Sequence, residues 1–476
     1  MRFGLILAIN ARMLICCGLL MLIPALMDFF QQHGMANAFT LSAGFTIAVG
    51  SFLYFVTPKE QDALYPKEMF FTTTLMWLLY ALFAAIPFYL PPNPVSFTNA
   101  FFESVSGLTT TGATIFQNID SLSMGTLFWR SMTQWFGGIG IIVVALVVLP
   151  TLRIGGMQLF ATESVILSER ISPTVRKSVR DILIYFMFLT LCCVGCLWWA
   201  GMSPFDAVNH AMTTIATGGF STHDASIAYF KNPTIEWILI AFMFLAGLPL
   251  VIGPHLFHKQ FASIKENVQI VTYVKLIILS GVILGFVCGW DKIRTILFQV
   301  ISIMTTTGFV VSDYNLWGSV AIALFMTLLV SGACTGSTSG GIKMFRFAVV
   351  MRVLMQRMKS LVQPHAVFIA RYGAKVIDAD IVDGVLFFCG MFCITVVVSV
   401  LSLSALGLDY ITALSGTLTS VANVGPALGS VIGPSQNFAS LPDAAKWVLA
   451  GDMLLGRLEF TSVVVLFLPF LWRRNV

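Results

Sequence analysis

FTNAFFESVSGLTTTG (97–112) opens a pattern that the chain repeats three more times, as PFDAVNHAMTTIATG (204–218), KIRTILFQVISIMTTTG (292–308) and YITALSGTLTSVANVG (410–425). Each segment starts behind a polar or turn residue, runs through a short, moderately apolar stretch and ends in a Thr- or Asn-containing step and a glycine. Measured from the expected helix caps Ser96, Ser203, Asp291 and Asp409, the glycine falls 16, 15, 17 and 16 residues later. A spanning helix needs about 20 apolar residues, so none of these stretches can cross a bilayer with its polar tail. Yet each lies between two longer apolar runs. A short helix that enters from one side, followed by a loop that returns to it, satisfies both facts. Irregular backbone is tolerated at membrane depth only where it lines water or is buried in protein. A single TTTG occurs in ordinary turns, whereas four related strings at one topological position mark an internal repeat.

The rest of the chain supports a bilayer as solvent. Hydrophobic residues make up 57% of the 476 positions and charged residues 10%, against about 25% charged in a soluble domain. Spans are expected near 5–27, 38–56, 69–90, 126–149, 182–201, 235–254, 271–289, 317–331, 384–406 and 445–471. The first is long enough to span and no A-x-A site follows it, so it does not read as a cleaved signal peptide. Of the nine cysteines, Cys16, Cys17, Cys192, Cys193, Cys196, Cys288, Cys389 and Cys393 lie inside apolar runs. Adjacent pairs on a helix point apart, so these read as small packing residues and not as a disulfide framework.

Orientation follows from Lys and Arg, which favour cytoplasmic loops. With the N-terminus inside, 21 of the 27 basic residues fall on inner segments, and the stretches 28–40, 90–124 and 407–443 hold none. Both termini are then cytoplasmic. The outer segments carry Asp28, Asp120, Asp206, Asp224, Asp291, Asp313, Asp409 and Asp443. Together they form an anionic mouth that concentrates cations; taken singly, each is equally well a cap or a solvated loop residue.

The four re-entrant segments also say what such a mouth serves. A short helix entering from outside aims its C-terminal carbonyls at the membrane centre and favours a cation there. The extended residues that follow can turn backbone carbonyls to an axis and replace an ion's hydration shell. Glycine allows positive φ and close approach of the strands.

TTTGATIF (109–116), ATGGFSTHD (216–224), TTTGFVVSDYNLW (305–317), SGACTGSTSGG (331–341), SVANVGPALG (420–429) and GRLEF (456–460) together resemble the TrkH/KtrB/HKT superfamily of potassium transporters, on its TrkH/TrkG branch. The resemblance covers nearly the whole chain. It implies an all-α membrane fold of four M1–pore helix–M2 repeats around a pseudo-fourfold pore, preceded by two extra transmembrane helices. The implied division is 1–66 for the leading helices, then 67–155, 156–262, 263–362 and 363–476 for the repeats. By motif, the filter glycines are Gly112, Gly218, Gly308 and Gly425. The residues before them, Thr111, Thr217, Thr307 and Val424, are expected to offer carbonyls to potassium. Relatives with serine at the first filter position conduct sodium, so Gly112 favours potassium. Homodimerisation and a peripheral, nucleotide-binding TrkA-type regulatory subunit in the cytosol, docking on basic inner loops such as 343–375, are also implied.

Two elements read as gates. The eighth span breaks at 331–341, where glycines and hydroxyl residues of poor helix propensity sit in apolar surroundings. The resemblance makes this an intramembrane loop that obstructs the pore, with Gly336, Ser337, Thr338, Ser339, Gly340 and Gly341 at its centre; the plain alternative is a small-residue helix contact. Arg457 lies within the last span. An uncompensated Arg at the bilayer centre costs about 2.5–3.5 kcal/mol, so it is expected to face the pore and slow cations, with Glu459 a possible partner and Asp452 nearby. A structural ion pair is the alternative.

Other chemistries lack their residues. GGIGII (137–142) misses the third glycine and the strand context of a dinucleotide turn, and reads as a packing face. The run 336–343 carries Ile342 where a phosphate loop needs lysine. The six histidines show no paired ligand spacing, and no catalytic triad or carboxylate pair stands out. Glu103 reads either as a filter support or as an ion-attracting group. These absences point away from an enzyme, an organic cofactor or a nucleic-acid partner. The repeat geometry together with the resemblance implies potassium uptake at a bacterial inner membrane by passive conduction, or alternatively by coupling to protons or sodium.

Overall fold

Apolar runs bounded by Gly, Pro and capping residues fold here as helices of two lengths. The computed structural model describes residues 1–57, 64–92, 94–143, 175–253, 267–373 and 375–469. Lys59, Arg153, Arg170, Lys259, Lys265, Arg473 and Arg474 lie outside the described residues, as do 144–149, 254 and 470–471 of three expected spans. Among the described residues, six helices are long and apolar enough to cross a membrane.

The leading helices Phe3–Phe30 and Met35–Val56 pack as an antiparallel pair. Four repeats follow. Their M1 helices are Pro66–Ala84, continued by Ile86–Tyr89, then Val175–Trp199, Val268–Cys288 and Ala379–Ala405. Their M2 helices are Met124–Val143, Pro233–Ala246, Ser319–Ser331 and Asp443–Arg457. Between them stand the short helices Phe97–Leu108, Pro204–Ile215, Ile293–Met304 and Tyr410–Ala422. The third repeat continues as helix Met344–Val362, and a two-residue hairpin (Arg371–Tyr372 against Lys375–Val376) is the one described departure from an all-α chain.

The leading pair is tied to the first repeat at both ends. Arg2 reaches Glu68 at 2.8 Å, and Asp28 accepts hydrogen bonds from Ser123 Oγ (2.9 Å) and Gly125 N (2.8 Å), capping M2. Asp28 is therefore a buried cap and not part of an open mouth; Asp313 and Asp409 also cap helices. All nine cysteines are free. Phe55, Trp199, Phe286 and Leu401 are among many large apolar side chains left exposed, a surface suited to lipid.

The expected span 445–471 is not one helix. It stops at Arg457, passes through Glu459 and Phe460 at positive φ (61° and 44°), and restarts at Thr461–Val464. Residue 459 is held away from helical geometry by a long-range contact described below.

Candidate filter ring and the loop beneath it

The short helices carry polar residues on buried faces because each must end in a turn whose backbone groups need partners. All four end alike. Thr110, Thr217, Thr306 and Asn423 take left-handed φ of 53°, 53°, 58° and 56°. The next residue then donates its N–H back to Ser106, Thr213, Ser302 and Thr419 at 2.9, 2.8, 2.9 and 2.9 Å. This is the Schellman closure, built four times without glycine at the left-handed position. A positive-φ glycine follows each time: Gly112, Gly219, Gly308 and Gly425.

The second repeat therefore differs from the sequence expectation by one residue. Gly219, and not Gly218, matches the other three glycines, and Gly218 takes the position of Thr111, Thr307 and Val424. Thr217 belongs with the left-handed residues. The cap of the third helix also moves, from Asp291 to Lys292. With both changes every glycine stands sixteen residues after its cap, from Ser96, Ser203, Lys292 and Asp409.

These glycines close a ring. A Cβ on Gly112 would lie 2.2 Å from the carbonyl oxygen of Gly218, and one on Gly219 1.8 Å from that of Thr307. One on Gly308 would lie 2.1 Å from Val424 O, and one on Gly425 2.5 Å from Thr111 O. Each strand thus meets the next in chain order, and the fourth returns to the first. Four backbone carbonyls, each pressed against a neighbouring Cα, surround one axis.

Anchors hold each strand to its helix. Nine residues before each ring glycine stand Glu103, His210, Gln299 and Gly416. Glu103 accepts from Ile115 N (2.9 Å) and Thr114 Oγ1 (3.0 Å), His210 Nε2 lies 3.0 Å from Ser221 Oγ, and Gln299 donates to Ser312 O at 3.0 Å. At Gly416 the side chain of Ile432 fills the space instead. Glu103 is also 2.8 Å from Arg130, both fully buried. Arg130 donates onward to Ser221 O (3.1 Å) and lies over the Phe220 ring. One turn along M2, Gln134 donates to Gly218 O (2.6 Å) and accepts from Phe220 N (3.0 Å). One helix of repeat 1 thus grips the strands of repeats 1 and 2. Glu103 acts as a support here.

The 331–341 loop lies directly below. Gly340 donates its N–H to Thr306 Oγ1 at 2.8 Å, and a Cβ on it would meet Ala422 O at 2.2 Å. Thr338 Oγ1 donates to Ile215 O (3.1 Å) and its hydroxyl is 3.1 Å from that of Thr217. Gly336 O accepts from Leu250 N at 3.0 Å, Ser337 Oγ donates to Cys334 O at 2.7 Å and lies 2.8 Å from Ser339 Oγ, and Gly341 turns the chain at φ 70°. The hydroxyls replace the missing helical partners, and the loop touches the ends of three pore helices. It is not merely a small-residue helix contact.

Arg457 is buried beside it. Its Nη1 donates to Thr338 O (2.8 Å) and its Nη2 to Gly137 O (3.4 Å). Glu459 does not form its salt bridge: that carboxylate pairs with Arg346 and lies 3.4 Å from Lys343 Nζ, at the far end of the loop. Lys343 and Arg346 thus share one carboxylate, and Arg457 is left without a described acidic partner. Asp452 accepts from Ser399 Oγ at 2.7 Å, and its Oδ2 is without a described partner.

A ring closed in chain order by four re-entrant strands, with a loop under it, can be compared with known proteins. The family model TrkH, described as cation transport protein, matches residues 35–269 and 290–474. The chain belongs to the TrkH family. It is 41% identical to the Trk system potassium uptake protein TrkI of Halomonas elongata, over 99% of this chain and 98% of that one. It is 36% identical to the Trk system potassium uptake protein TrkH of Escherichia coli, over 99% and 100%. The crystal structure of the potassium transporter TrkH from Vibrio parahaemolyticus superposes with a TM-score of 0.91 at 32% identity, covering 99% of this chain and 100% of that one. The fold is thus the TrkH one, a membrane protein of a cation-transport family.

For this TrkH-family chain, sequence reasoning found the strands, the loop and Arg457. It missed Arg130 and Gln134. Their signal was available: two polar residues four apart inside an apolar span, in WRSMTQWF (129–136). GGIGII is the expected packing face, since a Cβ on Gly137 would sit 1.9 Å from Leu108 O.

Proposed function

We propose that this chain carries potassium into the cell across a bacterial inner membrane, both termini cytoplasmic, by channel-like conduction through the four-strand ring. One observation carries the reading: each ring glycine abuts the next strand's carbonyl oxygen, and the fourth strand returns to the first. The carbonyls of Thr111, Gly218, Thr307 and Val424 replace the ion's water. Gly112, Gly219, Gly308 and Gly425 let them converge. The loop 331–341 is the gate and Arg457 an electrostatic barrier beside it. The repeats divide at 67–155, 156–262, 263–362 and 363–476. The relatives' names, which refer to a Trk system, support a multi-component assembly; here we assign a homodimer and a TrkA-type nucleotide-binding ring docked on the basic inner face.

Rubidium and sodium uptake in a potassium-uptake-deficient bacterium tests this. Gly112→Ser is expected to lower the rubidium-to-sodium ratio. Gly219→Ala should reduce rubidium uptake tenfold or more, because left-handed backbone alone costs a side chain about 1–2 kcal/mol and its Cβ would overlap Thr307 O. Full uptake by Gly219→Ala would sink the ring. A coupled mechanism is the second reading, favoured by the orphaned Oδ2 of Asp452. Flux into liposomes with only a potassium gradient separates the two: obligatory coupling makes potassium entry carry protons, or require sodium on the same side, in fixed ratio, whereas conduction needs no co-ion.

A further inference from the structure

Outside the ring, the four repeats meet at four joints of different chemistry. Repeats 2 and 3 join through Ala228 N to Val310 O (3.3 Å), Val310 N to Ser226 Oγ (3.2 Å) and an ion pair of Glu236 with Arg294 (2.7 Å). Repeats 3 and 4 join through the amide of Asn315 and the backbone of Gly429, and repeats 4 and 1 through Phe438 N to Thr114 O (2.8 Å) and Lys446 to Asn99 (2.7 Å). None of these carries a group that ordinarily titrates near neutral pH.

The joint between repeats 1 and 2 is ionic and centred on His223. Its Nδ1 lies 2.5 Å from Asp120 Oδ1 on the outer loop of repeat 1, and its Nε2 lies 3.6 Å from Asp206 Oδ1 at the start of the second pore helix. Asp224 completes the cluster: Ile119 N donates to it at 2.9 Å, while its own N–H donates to Asp120 Oδ2 at 3.3 Å. The imidazole stacks on Tyr229 with centroids 3.5 Å apart. His210, the other histidine here, lies behind, bonded to Asp206 O (2.8 Å) and Ser221 Oγ. Carboxylates only accept hydrogen bonds, so a ring facing one on each nitrogen is served best with both nitrogens protonated. Partial burial of Asp120 pushes its carboxyl up, but the hydrogen bonds from His223 and Asp224 hold it below the ordinary range. It is thus ionised at neutral pH.

We propose that His223 is a positioning residue: protonated, it clasps the outer loops of repeats 1 and 2 and fixes the spacing of their ring strands, so that external pH tunes ion discrimination. It lies four positions after Gly219, along the same strand that Arg130 and Gln134 hold. Loss of its proton leaves Asp120, Asp206 and Asp224 facing one another without a counter-charge. The loops then part.

The inference rests on the ring conducting potassium. The experiment is rubidium and sodium flux through the purified chain in liposomes, with external pH stepped between about 5 and 8, where an imidazole titrates. The parent's rubidium-to-sodium ratio should fall about threefold as external pH rises, the size of a partly exposed charge pair, and should ignore internal pH. His223→Gln should flatten that profile. Asp120→Asn should shrink the change in that ratio, since one of the carboxylates the imidazole holds is gone. A parent that takes up no rubidium at any pH overturns the conduction reading. A conducting parent whose profile is flat, or is shared by His223→Gln or by Asp120→Asn, overturns the clasp alone.

Discussion

Two arginines lie buried on M2 helices, one on each face of the ring, and the protein treats them in opposite ways. Arg130, on the outer side, is matched by Glu103 at 2.8 Å, covered by Phe220 and bonded across two repeats. Arg457, on the inner side, has among the described residues only the carbonyls of Thr338 and Gly137, because Glu459 is engaged by Lys343 and Arg346. A neutralised pair stiffens what it touches without opposing a passing cation. An unneutralised charge opposes it. Under the proposed conduction, the pairing of a buried charge, and not its presence, separates support from barrier.

That contrast is tested most severely at Glu103. Glu103→Gln leaves Arg130 buried and uncompensated, a loss of about 3–5 kcal/mol, so the detergent-solubilised protein should unfold at markedly lower temperature. Adding Arg130→Gln should recover part of it. Unchanged thermal stability in the single variant would break the comparison. Next in size, Arg457→Ala should raise rubidium uptake; removing about 1.4 kcal/mol of barrier is tenfold in rate. Its thermal stability should fall far less than that of Glu103→Gln, and slower uptake would show the charge to be structural. The smallest effect belongs to Gln134→Leu, which removes two hydrogen bonds worth about 1 kcal/mol each. Severalfold weaker rubidium preference at normal expression is expected; unaltered preference would leave Arg130 as the sole bracket.

The re-entrant segments were readable because their caps and turns are local. Ser96, Ser203 and Asp409 cap where expected, each accepting from the backbone N–H three residues on. The uneven 15 and 17 spacings were themselves a clue. In ATGG (216–219) either glycine satisfies the pattern, and only the backbone sign at Gly219 decides between them. Lys292 replaced Asp291 because a 3-10 turn, Trp290–Lys292, precedes that helix. The break at 458–460 was invisible for a different reason. A smooth apolar run reads as one span, and the pull on Glu459 comes from Lys343 and Arg346, more than a hundred residues earlier. Partners distant in sequence also hid the Arg130 grip, although its residues stood in plain view.

A ring made from a single chain has a last joint. Asn423 donates to Thr111 Oγ1 at 3.0 Å across a gap of 312 residues, and Gly425 meets Thr111 O beside it. Until the final quarter of the polypeptide has left the ribosome and docked, repeats 1 to 3 form an open arc. If the ring is the ion path proposed above, biosynthesis completes it only at this closing step, and unfinished chains in the bilayer hold no finished site through which the cell's ionic gradients could drain.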